Sequence, residues 1–255
     1  MRRTEDPAPT TYERFDLGRR MLPGGRIEQL ERLTPTSTRL RLAGPKLVGV
    51  PWGPGDRVRI RTAAVLPSLA RLRAGDALRT YSMWDADPDA GWVDVVLFDH
   101  GTPDSIGLRW ADEARIGQYV VLLRDARAIR VPRDASWYLF AGEETAAAGF
   151  GALLRALPAD VPVLGVHQAA TDAGHIELPR PLTRISRNGA SAASSQQLVD
   201  AVAALDLPDA PGAAYLAGEA RTIQMVRAHL VQDRGWSRRE IVTKPFWTPG
   251  KRGMD

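Results

Sequence analysis

The stretch Trp137-Tyr-Leu-Phe-Ala-Gly-Glu-Glu-Thr-Ala146 decides the fold of the second half of the chain. Its first five residues are apolar, which is typical of a buried strand, and residues 144–157 after them are rich in alanine and leucine and predict a helix. Later residues predict further strands at 161–169, 182–186, 213–217 and 240–243, and helices at 196–205 and 221–232. Alternating strands and helices favour an α/β domain with a parallel sheet.

The residues before this stretch follow a different period. Segments such as Thr38-Arg-Leu-Arg-Leu42 place an apolar residue at every second position, as half-buried strands do, and turn signals such as Gly53-Pro54-Gly55 separate them. The predicted strands lie at 26–33, 38–42, 56–62, 78–84, 92–99 and 119–123, with a helix at 108–114. Six short strands with one helix predict a closed antiparallel β-barrel.

These patterns divide the chain into three parts. Residues 1–24 carry prolines and charges without periodicity and predict a flexible arm. Residues 25–132 form the predicted barrel, and residues 133–255 form the α/β domain. A barrel that holds a flavin, followed by a sheet whose carboxyl edge holds a nicotinamide cofactor, is a known use of this order of domains.

Composition excludes several kinds of chemistry. The chain has no cysteine, which excludes disulfides, thiolate nucleophiles and iron–sulfur clusters bound within it. The four histidines lack metal-site spacing, so no metal site is predicted. The net charge of +4 comes almost entirely from arginine, which indicates coding bias rather than a nucleic-acid partner. With no long apolar run and no signal peptide, we expect a cytoplasmic monomer that does not insert into membranes.

The motif Arg79-Thr80-Tyr81-Ser82 is the first candidate for chemistry. On a strand, Arg79 and Tyr81 share one face and Ser82 lies on the other. An arginine can meet a pyrophosphate with two hydrogen bonds, an aromatic ring can stack on a flavin, and a hydroxyl can bind near flavin N5.

The motif belongs to an ordered series. It is followed by Val95-Val-Leu-Phe-Asp-His-Gly101 and Arg109-Trp-Ala111, then by Gly142-Glu-Glu-Thr-Ala146, Ala217-Gly-Glu219 and Phe246-Trp-Thr-Pro-Gly250. This series resembles the siderophore-interacting proteins, the FAD-dependent ferric-siderophore reductases of the ferredoxin-reductase-like group. The resemblance covers about residues 25–252.

The resemblance implies a flavin site on the barrel. Arg79, Tyr81 and Ser82 would hold FAD, with Tyr81 and Ser82 positioning the ring for reaction. The phosphate and adenine end would lie along Phe98, His100, Ser105, Gly107 and Trp110. A helix starting near Leu108 would offer free N–H groups to the pyrophosphate.

The α/β half predicts a site for NADH or NADPH. Its candidates lie where strands end: Gly142, Glu144 and Thr145, then Gly218 and Glu219, with Arg184 and Arg187 for a 2′-phosphate. Acidic residues at these positions also serve as helix caps, and that alternative stays open for Glu219. Gly149-Phe-Gly151 falls inside a helix and is rejected as a dinucleotide motif.

The end of the chain carries two further predictions. Phe246 and Trp247, expected just after the last strand, either cover the flavin until the nicotinamide displaces them or pack between the domains. Arg130, Lys244 and Lys251 are candidates for attracting an anionic ferric chelate, with ordinary surface charges as the alternative.

The predicted function is therefore hydride transfer from NAD(P)H to FAD, followed by reduction of a ferric siderophore to release its iron. Three departures from the family pattern keep alternatives open. The segment Ser105–Leu108 replaces the family's Gly-Pro-Ala-Ser, Trp84 replaces an arginine, and Arg184 replaces a tryptophan. A different acceptor (a free flavin, a quinone, a partner oxygenase or a biosynthetic substrate) and a flavin-free binding protein on the same fold are the alternatives.

Overall fold

The structure is a computed structural model that describes residues 23–61, 78–99, 106–125, 134–210 and 212–251, with the backbone alone at 106–109. Three predicted site residues, His100, Ser105 and Arg130, lie outside the described residues, and so does most of the predicted arm at 1–24. The predicted boundary between the domains, at 132 and 133, also falls outside them and stays a prediction.

Six antiparallel strands form a closed barrel in the order β1-β2-β5-β4-β3-β6. Their bounds are β1 Gly24–Thr34, β2 Ser37–Ala43, β3 Arg57–Arg61, β4 Leu78–Asp87, β5 Trp92–Phe98 and β6 Tyr119–Asp125. Alternate residues of a strand face the inside of the barrel, and on β5 these are Val93, Val95 and Leu97, which are buried in the barrel core. Val96, on the other face of β5, instead packs into the core of the second domain. The predicted barrel is confirmed.

The second domain is a five-stranded sheet in the order β11-β10-β7-β8-β9, in which every neighbouring pair is parallel. The strands are β7 Tyr138–Glu143, β8 Val163–Ala169, β9 Thr183–Ser186, β10 Ala213–Glu219 and β11 Ile241–Trp247. The predicted fold class, an antiparallel barrel followed by a parallel α/β domain, is therefore confirmed.

Helices cover both faces of this sheet. Helix α1 (Ile106–Glu113) belongs to the barrel, and the others are α2 Ala147–Ala156, α3 Gln196–Ala203 and α4 Ala220–Gln232. Tyr138 and Phe140 of β7 face α2, whereas Leu139 and Ala141 face α3 and α4. The run of apolar residues in β7 is thus explained by burial on both sides. None of the helices in the described segments is long and apolar enough to cross a bilayer.

Strand β11 is longer than the sequence indicated. Its pairing with β10 runs from Ala214 opposite Ile241 to Glu219 opposite Trp247, with an irregularity after Gly218. Phe246 and Trp247 therefore lie on the strand, and the prediction that they follow it is wrong. Pro245 is tolerated because β11 is the edge strand of the sheet, where a missing N–H breaks no ladder on the outer side.

Candidate functional site

The two domains meet where β4 of the barrel packs on helix α2. A Cβ added to Gly151 would lie 2.3 Å from a ring atom of Trp84. On the same helix, the Arg155 guanidinium lies 4.5 Å from the Trp84 ring centroid, and its Nη1 donates a hydrogen bond of 2.5 Å to the Trp84 carbonyl. The small glycine therefore lets the helix lie directly on β4, the strand that carries the predicted flavin motif Arg79–Ser82.

The end of the flavin motif reaches this contact. A Cβ added to Gly149 would lie 3.4 Å from the Tyr215 hydroxyl and 3.8 Å from the Ser82 hydroxyl. Tyr215 belongs to β10 and Ser82 to β4, so a strand of each domain approaches the same turn of α2. The Gly149 and Gly151 pair, rejected above as a dinucleotide motif, is a feature of the domain interface.

Arg79 and Tyr81 share one face of β4, as the alternation predicts. They pair with Ile60 and Val58 of β3, and both are half-buried, with Tyr81 packed against the barrel core. Burial raises the pKa of the Tyr81 phenol although the nearby Arg79 charge lowers it, so the ring is neutral. A cation and an aromatic ring on one face, with a hydroxyl on the other, fit the pyrophosphate and ring of FAD.

The other predicted flavin contacts have different surroundings. Phe98 is partly buried against the core shared with the second domain. Trp110 is buried in the barrel core, at 7 % exposure, so its ring is packed rather than open to a ligand. Gly107 lies in the first turn of α1, which begins two residues earlier than predicted. A first helical turn has free N–H groups, the property that the prediction needs.

At the carboxyl edge of the sheet, one buried group is Glu143, which the sequence analysis did not select. It is 1 % exposed, and its carboxylate accepts hydrogen bonds from Thr145 N and from Trp247 Nε1, each 2.9 Å long, and from the Thr145 hydroxyl. Burial, together with the charge of Glu144, raises the pKa of Glu143 to about 7. No local sequence signal could identify Glu143, because its partner Trp247 is 104 residues away in sequence.

Glu144, the residue selected instead, is paired with Arg187. The two form a bidentate ion pair with N–O distances of 2.5 and 2.7 Å, and Arg187 Nε donates to the Ala190 carbonyl. Each nitrogen of Arg187 is thus already a donor. Arg184 differs, because its partner Glu177 is 87 % exposed and such surface pairs contribute about 0–1 kcal/mol. Arg184 is therefore the one of the two that can readily exchange its partner for a phosphate.

Both predicted glycines are required by close packing. A Cβ on Gly142 would lie 2.2 Å from the Ala217 carbonyl oxygen. Gly218 has φ of +125°, and a Cβ there would lie 2.8 Å from Glu143 Oε1. The absence of a side chain at both positions therefore lets β7 and β10 lie close together at the edge where a cofactor would lie.

Glu219 is a helix cap, as one alternative proposed. Its Oε2 accepts from Thr222 N at 2.8 Å, at the start of α4, and from Ser194 N at 3.3 Å. Its other oxygen accepts a hydrogen bond of 3.2 Å from the Thr248 hydroxyl. Of the proposed substrate contacts, Lys244 is half-buried on β11 and Lys251 is exposed.

Two histidines that lack a sequence motif form a pair beneath the same edge. Their Nδ1 atoms are 3.1 Å apart, His167 on β8 and His175 in the loop after it. His167 is 1 % exposed; burial, helped by His175 and two nearby arginines, lowers its pKa to about 3. Among the described residues, no group of three or more potential ligands is placed to hold a metal ion.

Glu143 and His167 are expected to give opposite dependences of stability on pH. The pKa of His167 in the unfolded chain is about 6.5, so the contribution of His167 to the free energy of unfolding falls as the pH drops from 6.5 towards 3. The pKa of Glu143 is about 7 in the folded chain and about 4.5 in the unfolded chain. Its contribution to the free energy of unfolding therefore rises as the pH drops from 7 to 4.5. The two effects oppose each other between the two unfolded values.

Single substitutions are expected to reveal each effect. Relative to the wild type, His167→Gln should gain unfolding free energy between pH 6.5 and 5, and Glu143→Gln should lose it, each by about 2 kcal/mol at ~1.4 kcal/mol per pH unit. Urea denaturation at several pH values measures both, with the exposed Glu28→Gln as a control. If plots of unfolding free energy against pH are parallel for the wild type and all three variants, the pKa shifts assigned to His167 and Glu143 are wrong.

Comparisons with known proteins agree with this architecture. Residues 135–250 match the family described as siderophore-interacting protein. A siderophore utilization protein from T. fusca has a similar structure, with a TM-score of 0.76, 23 % identity, and coverage of 91 % of this chain and 94 % of that one. The flavohem-like FAD/NAD binding domain of nitric oxide dioxygenase from Vibrio cholerae is also similar, with a TM-score of 0.67, 18 % identity, and coverage of 89 % and 100 %.

A curated relative is much longer than this chain. The mycobactin import ATP-binding/permease protein IrtA of Mycolicibacterium thermoresistibile is 30 % identical over 183 residues, which are 68 % of this chain and 19 % of that protein. The chain thus spans about a fifth of the length of the curated relatives it matches. The predicted resemblance to siderophore-interacting proteins, with a ferredoxin-reductase-like fold, is confirmed.

Proposed function

Since residues 135–250 match the siderophore-interacting protein family, on a chain with a ferredoxin-reductase-like fold, we propose that this protein is an FAD-dependent reductase. It takes electrons from NADH or NADPH and passes them to a ferric siderophore, whose iron is released on reduction. The barrel at 25–132 binds FAD and residues 133–255 bind the nucleotide. Because these nucleotides are cytoplasmic metabolites, the proposal places the reaction in the cytoplasm.

One observation carries the proposal: helix α2 packs on β4 beside Ser82 and follows the turn at the end of β7, the edge proposed to bind the nucleotide. The Ser82 hydroxyl lies beside Gly149 of α2, and the turn at Glu144–Ala146 that leads into α2 follows directly from the end of β7. A ring bound at Ser82 and a ring bound at the end of β7 would therefore be neighbours. Proximity and orientation are what hydride transfer needs from a protein.

The residues on β4 fit the flavin part of this proposal. Arg79 would hold the pyrophosphate, Tyr81 would support the ring, and Ser82 would orient it from the side of α2. When bound, FAD supplies the step from two-electron to one-electron transfer, which a ferric chelate requires. The side chains themselves need no acid–base role, consistent with the neutral Tyr81 phenol.

The sheet edge fits the nucleotide. Gly142 and Gly218 let β7 and β10 pack closely at this edge, and the Thr145 hydroxyl, which donates to Glu143, lies at the first turn after β7. Arg184, with its exposed partner, is the candidate contact for a 2′-phosphate, whereas Arg187 is engaged by Glu144. Lys244, Lys251 and Arg130 remain proposed attractors of the anionic chelate.

The test of the function is an absorption spectrum of the purified protein with FAD, recorded anaerobically before and after NADH or NADPH. Flavin bands that bleach with nucleotide support the reductase. Reoxidation by a ferric hydroxamate complex, followed by a chromogenic ferrous trap, identifies the acceptor. If the bands bleach but the ferric complex stays unreduced, another acceptor is used. If no flavin binds, the fold serves a flavin-free binding protein and the proposal is wrong.

Arg184 gives a prediction about the choice of nucleotide. Replacing Arg184 with glutamine removes the available cation and is expected to raise the KM for NADPH about 10-fold, the value of one charged hydrogen bond, while the KM for NADH changes little. Initial rates with both nucleotides measure this. Arg221→Gln, on the exposed start of α4, is the matched control. Equal changes for NADH and NADPH would rule out a contact with the 2′-phosphate.

A further inference from the structure

Two buried glutamates hold the end of β11 in place. Glu143 ends β7 and accepts the indole N–H of Trp247 at 2.9 Å. Glu219 ends β10, the next strand, and accepts the hydroxyl of Thr248 at 3.2 Å. Their side chains are 1 % and 0 % exposed in the order named. The last residue of β11 and the residue after it are thus tied to the ends of two neighbouring parallel strands.

The hydrogen bond from the Trp247 indole to Glu143 is not needed to cap the helix. A fully buried carboxyl is costly, and all three donors that Glu143 meets, Thr145 N, Thr145 Oγ1 and Trp247 Nε1, are neutral. Thr145 alone would satisfy a helix-capping role. The third bond therefore does something that capping does not require: it fixes a large aromatic side chain at the edge where strands of an α/β sheet bind ligands.

We propose that Glu143 is a positioning residue, which anchors Trp247 at the carboxyl edge of the sheet so that this hydrogen bond must break before a nicotinamide ring takes the place of the indole. The inference rests on the proposed function for the identity of the ligand. The anchor itself rests only on the contacts between Glu143 and Trp247.

Burial first, and then the charge of Glu144, raise the pKa of Glu143 and make the anchor sensitive to pH. Glu144 raises the pKa of Glu143 even though Arg187 pairs with Glu144, and Glu219 lies at the end of the neighbouring strand β10. On the other side β8 presents the neutral Gln168 and the uncharged His167, and Lys244 lies earlier on β11. A protonated Glu143 is a weaker acceptor than a carboxylate. The bond to Trp247 therefore weakens as the pH falls through about 7.

The test is the indole ¹⁵N–¹H resonance of Trp247, assigned by its absence in Trp247→Phe. In the wild type the resonance should move with pH with a midpoint near 7. Glu143→Gln keeps a carbonyl acceptor and should keep the bonded position of the resonance but lose the titration. Glu143→Leu should shift it to a solvent-like or unbonded position at every pH, and Glu28→Gln should behave as the wild type.

Nucleotide binding gives a second readout on the folded protein loaded with FAD. Glu143→Leu removes the bond that has to break, so at pH 8, where Glu143 is a carboxylate, the dissociation constant for NAD⁺ or NADP⁺ should fall about 10- to 100-fold, the value of one hydrogen bond to a charged group. Glu143→Gln should stay near the wild-type value. A Trp247 resonance that ignores both substitutions and pH overturns the anchor, even if Glu143→Leu does not fold, because Glu143→Gln alone decides the titration.

The two proposals fail in distinguishable ways. A resonance that responds as expected in a protein that binds no flavin leaves the anchor standing and refutes the reductase. A protein that reduces its flavin with NADH while the Trp247 resonance ignores Glu143 supports the reductase and refutes the anchor.

Discussion

Replacing Arg79 with methionine is expected to weaken FAD binding about 10- to 100-fold. Methionine keeps much of the length of the side chain and removes the guanidinium, which is proposed to hold the pyrophosphate with charge-assisted hydrogen bonds. Such bonds contribute ~1.5–3 kcal/mol, and each 1.4 kcal/mol is about a factor of ten. Quenching of FAD fluorescence during titration into the apoprotein measures the affinity.

The control for Arg79 separates this contact from net charge. Arg221→Met also removes one positive charge, from the exposed start of α4, and should leave the FAD affinity at the wild-type value. The loss caused by Arg79→Met should also shrink at high salt, because screening weakens the wild-type contact. An unchanged affinity in a folded Arg79→Met protein would show that the flavin phosphates are held elsewhere.

Replacing Gly151 with alanine is expected to slow the reduction of bound flavin about 100-fold while FAD stays bound. The added Cβ would lie 2.3 Å from the Trp84 ring, which is held between the helix and the Arg155 guanidinium. Alanine favours a helix over glycine by ~0.5–1 kcal/mol, but overpacking a tight contact costs ~1–3 kcal/mol, so the clash prevails. Helix α2 then moves from β4, and a displacement of about 1 Å can cost about 100-fold in rate. Stopped-flow absorbance with NADH measures the rate.

Two further variants test this explanation. Gly53→Ala makes the same change where the nearest atom is 3.9 Å away, and its rate should equal that of the wild type. Trp84→Leu combined with Gly151→Ala removes the obstructing ring and should restore part of the lost rate, which a double-mutant cycle quantifies. If the double variant is as slow as Gly151→Ala alone, the contact with Trp84 is not the cause.

Much of the architecture was readable from local patterns. Every strand and helix described above was expected within a few residues, except that β11 extends through Pro245 to Trp247. The error at β11 has a clear origin, since its last residues lack an alternating pattern and are held by pairing with β10. The same limit applies to Trp110, whose place in a ligand-like motif does not show that its ring is buried in the barrel core.

In the candidate site, too, features set by neighbouring residues were predicted, and contacts between distant residues were not. Alternation put Arg79 and Tyr81 on one face of β4, and the position of Glu219 between a strand and a helix gave the cap as one alternative, because both depend on neighbours within a few residues. Proximity in sequence to a strand end also selected Glu144, but the structure pairs Glu144 with Arg187, 43 residues later. The buried carboxyl at the end of β7 is the preceding residue, Glu143.

The sequence by itself determined the order of barrel and sheet, the positions of the strands and the family resemblance, because burial on one or both faces leaves a period of two or an unbroken apolar run in the chain. Tertiary structure alone decided which polar and charged side chains are partners. It joined Glu143 to Trp247 across 104 residues, Glu144 to Arg187 across 43, and His167 to His175 across a loop. The physical reason is that parallel strands bring distant residues to one edge, where burial sets their pKa and their partners.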